Sequence, residues 1–182
     1  RLPRRLEFRR VAGMYRLLAT DIDDTILAPD GSIPVANHRA LEELHRRGIP
    51  VVFSTGRADV STRALARRII TLADDEYLIT FNGARVVTAK SGRVLFERIL
   101  SPEAVADVAA YAKEHNLLIH GYDSIRFLAE IEDPRSEVYA DDTAMEYSVV
   151  DSLSRALPKG SAKLLIIDEH ERLLKHKEEL DR

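Results

Sequence analysis

The chain has 182 residues, 45% of them hydrophobic, and a formal net charge of -3. That is enough for one good domain or two small ones with a packed core, and too mild a charge to point to nucleic acid. With 0 cysteines it has no disulfides, thiol nucleophile or cysteine zinc site, and with no apolar run near the ~18 residues of a membrane span and no signal-peptide pattern it reads as a cytoplasmic protein without a membrane partner.

Five arginines fall in the first ten residues, at Arg1, Arg4, Arg5, Arg9 and Arg10. Residues 1–13 precede Met14-Tyr15 and read as a solvated tail or a start extension, with no function assigned. Residues 15–20 read as a strand whose apolar residues run without alternation, as in a parallel strand covered on both faces. The turn Pro29-Asp30-Gly31 follows. Ser32 to Arg47 reads as a helix, with Ser32 as the expected cap, Pro34 in the first turn and Gly48 as the stop. Ile49–Phe53 is a second buried strand, Ala58–Ala73 a second helix with Leu65, Ile69 and Leu72 on one face, and Tyr77–Phe81 a third strand. Strand-helix-strand-helix-strand predicts an α/β protein with a parallel, doubly wound, Rossmann-like sheet.

The pattern changes after residue 84. Arg85–Ala89 and Val94–Ile99 flank a loop and read as a hairpin, expected to open a different layer. A helix over Pro102–His115 with Ser101 as cap, a hairpin of Leu117–Tyr122 and Ile125–Glu130, and a short helix over Asp133–Thr143 come next. A strand over Met145–Val150, a short helix over Ser152–Leu157, a strand over Ala162–Ile167 and a charged helix over Glu169–Leu180 complete the pattern. Residues 14–84 are therefore expected to form the first half of a parallel core, and residues 85–182 an inserted α+β domain with a mostly antiparallel sheet.

The chemistry is concentrated where the first three strands end. Asp21-Ile22-Asp23-Asp24-Thr25 follows the first, Ser54-Thr55-Gly56-Arg57 the second and Asn82-Gly83 the third. Two carboxylates ~4 Å apart repel by roughly 4 kcal/mol at an effective dielectric of about 20, so such a pair at a strand tip calls for a cation, a proton or a chemical task. Ligands of open parallel sheets bind beyond the carboxyl ends of the strands. There Asp21 is placed to attack phosphorus and Asp23 to act as general acid and base. Oxygen ligands suit Mg²⁺, while the Thr55 hydroxyl and the Gly56 amide suit phosphate oxygens. The six histidines (His38, His45, His115, His120, His170, His176) show no metal-ligand spacing along the chain.

The Asp21-Ile22-Asp23-Asp24-Thr25 segment resembles the D-x-D-x-T first motif of the haloacid dehalogenase superfamily. Ser54-Thr55-Gly56-Arg57 resembles its second motif, and Phe81-Asn82-Gly83-Ala84 the N-G-A of its Cof-type phosphatases with a IIB cap. The resemblance spans residues 14–182 and implies a Mg²⁺-dependent phosphohydrolase with an aspartyl-phosphate intermediate. It implies Asp21 as nucleophile and Asp23 as acid/base, with Ile22, Thr55, Gly56 and Asn82 on the phosphate. The Asp21 carboxylate and the Asp23 main-chain carbonyl would be metal ligands, and the inserted domain a cap that chooses the substrate. Many relatives carry Gly where this chain has Asp24. The substrate class implied is a small phosphorylated metabolite, sugar phosphates among them. A phosphomutase of the same superfamily and a non-catalytic phosphate-binding module are the alternatives. The family's third motif (a lysine) and fourth motif (a G-D pair) have no counterpart here. Lys163 opens a strand expected in the cap, and no G-D pair occurs in the chain. The expectation is a front portion of a longer protein that, taken alone, has an open sheet edge, poor solubility or self-pairing, and negligible turnover.

Overall fold

The computed structural model describes residues 15–72 and 76–180, so the arginine-rich segment lies outside the described residues. The chain divides into two units, one up to Glu97 and one from Arg98 onward.

The first unit holds β1 (Leu18–Thr20), α1 (Val35–Arg46), β2 (Val51–Ser54), α2 (Asp59–Ala66), β3 (Tyr77–Thr80), a single 3₁₀ turn at Phe81–Gly83, β4 (Arg85–Thr88) and β5 (Val94–Glu97). Its sheet runs β1-β2-β3-β4-β5. The first three strands are parallel, with Thr20 opposite Phe53 and Ser54 opposite Ile79. That register follows from burial: Val51, Val52 and Phe53 are all buried, which only a strand covered on both faces allows. The hydrophobic core gathers Ile22, Leu41, Val51, Phe53, Leu65, Ile69 and Leu78. The helix expected over Ala58–Ala73 stops at Ala66, so Leu65 reaches the core from α2 while Ile69 reaches it from the turn that follows.

Two further local expectations are corrected here. The residues 85–99 hairpin does not open a separate layer: β4 pairs antiparallel with β3, and β5 with β4, so both strands extend the first sheet. The 3₁₀ turn at Phe81–Gly83 is the reason, since it folds the chain straight back along β3 instead of carrying it to a new layer. The first unit accordingly extends to Glu97 and its sheet has five strands. At the start of α1, Ser32 is not the cap. Pro34 occupies that position without a side-chain hydrogen bond, and the Ser32 amide instead donates to Asp30 Oδ1 at 2.9 Å in the preceding turn.

Arg85 anchors β4 to α2. Its guanidinium donates to Asp59 Oδ1 at 3.2 Å and bonds Glu97 on β5, and it lies 5.3 Å from the centre of the Phe81 ring. Arg85 and Asp59 are both buried. A buried pair of this kind is costly to break from one side, because the remaining charge has no water to turn to.

The second unit holds α3 (Pro102–Glu114), β6 (Leu118–Tyr122), β7 (Phe127–Ala129), α4 (Pro134–Thr143), β8 (Tyr147–Val149), α5 (Leu153–Ala156), β9 (Leu164–Ile167) and α6 (His170–Leu180). Its sheet order is β8-β7-β6-β9. The β6–β7 and β6–β9 pairs are antiparallel and β7–β8 is parallel, so the expected mostly antiparallel α+β arrangement is present. Ser101 caps α3 as expected, accepting from the Ala104 amide at 3.2 Å. Val105, Ala109 and Ala112 of α3 pack with Leu117, Ile119, Leu128, Leu153 and Leu157 to form its core.

His120 is fully buried in β6. Its Nε2 lies 2.8 Å from Ser136 Oγ, and its ring packs 4.4 Å from that of Phe127. Burial pushes its pKa down to about 4, with Arg135 acting in the same direction and Asp133 against it. The Asp133 carboxyl is itself held down to about 2 by its hydrogen bond to Arg135, so its own contribution to stability is lost only below its ordinary 3.8. The unfolded chain protonates this imidazole near its ordinary value of 6.5, whereas the folded chain resists until about 4. Stability supplied by the neutral ring is thus present above ~6.5 and lost as pH falls toward 4.

Two outcomes are expected. Urea denaturation of the full chain should show about 2 kcal/mol less stability at pH 5 than at pH 7, and His120→Asn should flatten that slope whatever its absolute stability. Arg85→Ala should cost about 3 kcal/mol at neutral pH, measured in the same way.

Candidate active site

The acid-rich loop leaves β1 at Thr20 and is pinned by the residue between its first two acids. Ile22 is fully buried in the first unit's core, while Asp21, Asp23, Asp24 and Thr25 are exposed. Burying an isoleucine stabilises by about 2–3 kcal/mol, enough to fix which way the loop faces. The Ile22 carbonyl accepts from the amides of Ile26 and Leu27, both at 2.9 Å, and of Thr25 at 3.3 Å, so the chain winds tightly around one oxygen. Asn37 on α1 holds the end of the loop, donating from Nδ2 to the carbonyls of Ile26 at 3.2 Å and Thr25 at 3.3 Å. Asp24 sits at φ 54°, in the left-handed region that favours glycine and is tolerated by aspartate.

The second loop leaves β2 at Ser54. The Thr55 amide donates to the Ile79 carbonyl at 2.9 Å, continuing the β2–β3 pairing one residue past the strand, and Thr55 is buried. Its hydroxyl accepts from the Arg57 amide at 3.2 Å. The third loop is stitched to the second: the Asn82 amide donates to the Thr55 carbonyl at 3.1 Å and the Phe81 amide to the Arg57 carbonyl at 2.9 Å. Phe81 and Asn82 both take left-handed backbone, at φ 51° and 55°. Gly56 lies against Asn82 so closely that a β-carbon there would meet Asn82 Oδ1 at 2.6 Å.

Parallel pairing brings all three loops to one rim of the sheet. The candidate residues Asp21, Ile22, Asp23, Thr55, Gly56 and Asn82 all belong to those loops. Across them runs a contact the sequence did not disclose. Arg57 grips Asp23 with Nε at 2.9 Å from Oδ2 and Nη2 at 2.7 Å from Oδ1, and its Nη1 lies 3.4 Å from Ser61 Oγ on α2. Sequence alone gave Arg57 no clear partner. Its neighbourhood in the second motif was the available signal, and the fold supplies Asp23.

The donor set at this rim is all oxygen and acidic, which fits a hard dication. Asp21 offers an exposed carboxylate. Asp23, by contrast, commits its side chain to Arg57, so only its main chain remains to serve a cation. Among the described residues, the one set of three or more side chains able to share a metal lies in the second unit, at His115, His176 and Glu179. Lys163 is also in the second unit, with its ammonium 5.8 Å from the centre of the Tyr122 ring, and burial lowers its pKa.

Residues 18–182 match the family model of haloacid dehalogenase-like hydrolases. An HMP-PP phosphatase of Cronobacter sakazakii (strain ATCC BAA-894) is 36% identical over 121 residues, covering 66% of this chain and 43% of that protein. An HMP-PP phosphatase of Enterobacter sp. (strain 638) is 32% identical over 164 residues, covering 88% of this chain and 57% of that protein. The chain therefore spans about half the length of these curated relatives. Among solved structures, TM0651 from Thermotoga maritima superposes with a TM-score of 0.76 at 32% identity, covering 92% of this chain and 61% of that one.

The two kinds of contact at the rim should separate by denaturation. Thr55→Val removes a buried acceptor and should cost about 1–2 kcal/mol, while Thr55→Ser should retain most of the stability. Arg57→Met unpairs a half-exposed carboxylate and should change stability by less than about 1 kcal/mol.

Proposed function

The chain belongs to the haloacid dehalogenase-like hydrolase family, and from that premise we propose that the protein is a Mg²⁺-dependent phosphohydrolase of small phosphorylated metabolites. One observation carries the reading. The exposed Asp21 carboxylate and the buried Thr55 hydroxyl sit on neighbouring loops at the carboxyl ends of paired parallel strands, where open α/β sheets take their ligands.

In this reading Asp21 is the nucleophile. Its carboxylate oxygen bonds to phosphorus as the ester oxygen departs, giving an aspartyl-phosphate. Asp23 donates the proton that the leaving oxygen needs, then takes a proton from the water that hydrolyses the acyl phosphate and frees Asp21. The bidentate pair with Arg57 favours the ionised form of Asp23, so in this reading both proton transfers call for that pair to open when substrate binds. The Thr55 hydroxyl and the amides of Ile22 and Gly56 bind the phosphoryl oxygens, and the missing β-carbon at Gly56 lets the backbone come close. Asn82 borders the same loops through its close approach to Gly56. Mg²⁺, held by the Asp21 carboxylate and the Asp23 main-chain carbonyl, would offset negative charge between protein and phosphate.

The second unit, an α+β body with its own core, is assigned the part of a IIB-type cap that selects the substrate. The two HMP-PP phosphatases make HMP-PP a natural first substrate to try, ahead of sugar phosphates.

The test uses protein expressed from the complete gene, with phosphate release followed in the presence of Mg²⁺. Asp21→Asn is expected to lower turnover by about 10³-fold or more with an unchanged melting temperature. Asp23→Asn should also be severely impaired. Turnover by Asp21→Asn within a factor of about ten of wild type would remove Asp21 from the nucleophile's role and with it this mechanism.

A further inference from the structure

The second unit contains a cluster that the phosphatase reading does not use. At the carboxyl end of α3, His115 is the residue that closes the helix, and one turn earlier Tyr111 faces the same way. Across from them, His176 and Glu179 lie three residues apart on α6, hence on one face of that helix. The rings of Tyr111 and His115 are 4.3 Å apart, and those of His115 and His176 are 4.8 Å apart. One ligand atom from each of His115, His176 and Glu179 falls within 4.8 Å of the other two. The two histidines are half-buried and Glu179 is exposed.

We propose that His115, His176 and Glu179 form a binding site for a borderline transition-metal dication of the Zn²⁺ type, which clips α6 to the end of α3. Two imidazoles and one carboxylate are a donor set suited to Zn²⁺ and not to Mg²⁺, which prefers oxygen alone. Tetrahedral bonds of ~2.1 Å place ligand atoms about 3.4 Å apart, so the triangle closes by small rotations of side chains that are not packed on all sides. Three protein ligands leave one position open to water, consistent with the exposed side of the cluster.

Tyr111 supplies the supporting contact. Its hydroxyl donates to Glu179 Oε2 at 2.6 Å and lies 2.7 Å from His176 Nδ1. The phenol has one proton and gives it to the carboxylate, so a neutral His176 meets it with its own Nδ1–H and keeps its lone pair on Nε2. An oxygen acceptor on the far nitrogen is the usual way a protein orients a metal-binding histidine. A second tie already holds the helices in place: Arg172 on α6 donates from Nη2 to the His115 carbonyl at 3.1 Å. The site is therefore organised before any ion arrives.

Titration calorimetry of the full chain, free of any affinity tag, with ZnCl₂ and separately with MgCl₂ tests this. One Zn²⁺ per chain with micromolar affinity is expected, with a higher melting temperature on addition. His115→Ala and His176→Ala should each weaken binding by about 100-fold and Tyr111→Phe by about ten-fold. Asp21→Asn, at the acid-rich rim, should bind Zn²⁺ as wild type does. Co²⁺ should give visible absorption bands that are lost in His176→Ala. If His176→Ala fails to fold, Glu179→Gln, whose side chain is exposed, carries the comparison and should also bind more weakly. The proposal is overturned if wild type shows no saturable Zn²⁺ binding, if the variants bind as wild type does, or if Asp21→Asn abolishes the signal. In those cases the cluster is a hydrogen-bonded contact between two helices and no more.

Discussion

Parallel pairing of three short strands is the constraint from which the candidate site follows. The strands are only three or four residues long, yet their register places Thr20, Ser54 and Thr80 as the last residues before three successive loops. Side chains that are far apart in sequence thereby become neighbours without any one loop having to reach. Two further bonds keep the rim from spreading, from the Thr55 amide to the Ile79 carbonyl and from the Asn82 amide to the Thr55 carbonyl. Ile22 does the same for the acid-rich loop by sinking its side chain into the core between two carboxylates that must remain outside.

Electrostatics at that rim are asymmetric. Asp21 and Asp23 stand two residues apart, but only Asp23 has a guanidinium locked onto both of its oxygens. The like-charge repulsion that makes the sequence conspicuous is thus relieved on one side by the fold itself. It leaves Asp21 as the carboxylate with an outward-facing claim on a cation or an electrophile. Two chemically identical side chains thus have different surroundings, set by what each one touches.

Much of this was legible in the chain. Apolar runs of the length of a buried strand, helical periods and Ser101 before Pro102 fixed the sequence of elements, because those signals are local. The three motif loops were legible because they stand at strand ends. What escaped reading depended on contacts between distant residues. The Asp23–Arg57 pair joins two loops, the Arg85–Asp59 pair joins a strand to a helix, and the cluster of His115, His176 and Glu179 joins two helices. None has a spacing along the chain that would reveal it. The hairpin after residue 84 was read correctly as a hairpin and wrongly as a new layer, since an antiparallel pair can as easily continue a parallel sheet as begin another. Ser32 looked like a cap because serine favours that position, but Asp30 captured its amide first and Pro34 fixed the helix start.

The tight approach of Gly56 to Asn82 has a consequence for how such a rim can change over time. The space a side chain at position 56 would need is already filled by the amide of residue 82. The two positions are coupled: a larger residue at 56 requires the Asn82 side chain to swing aside from its place against the Gly56 backbone. The left-handed backbone at 82 narrows the choice there to a few residue types, glycine and aspartate foremost. A change at either position is therefore felt at the other.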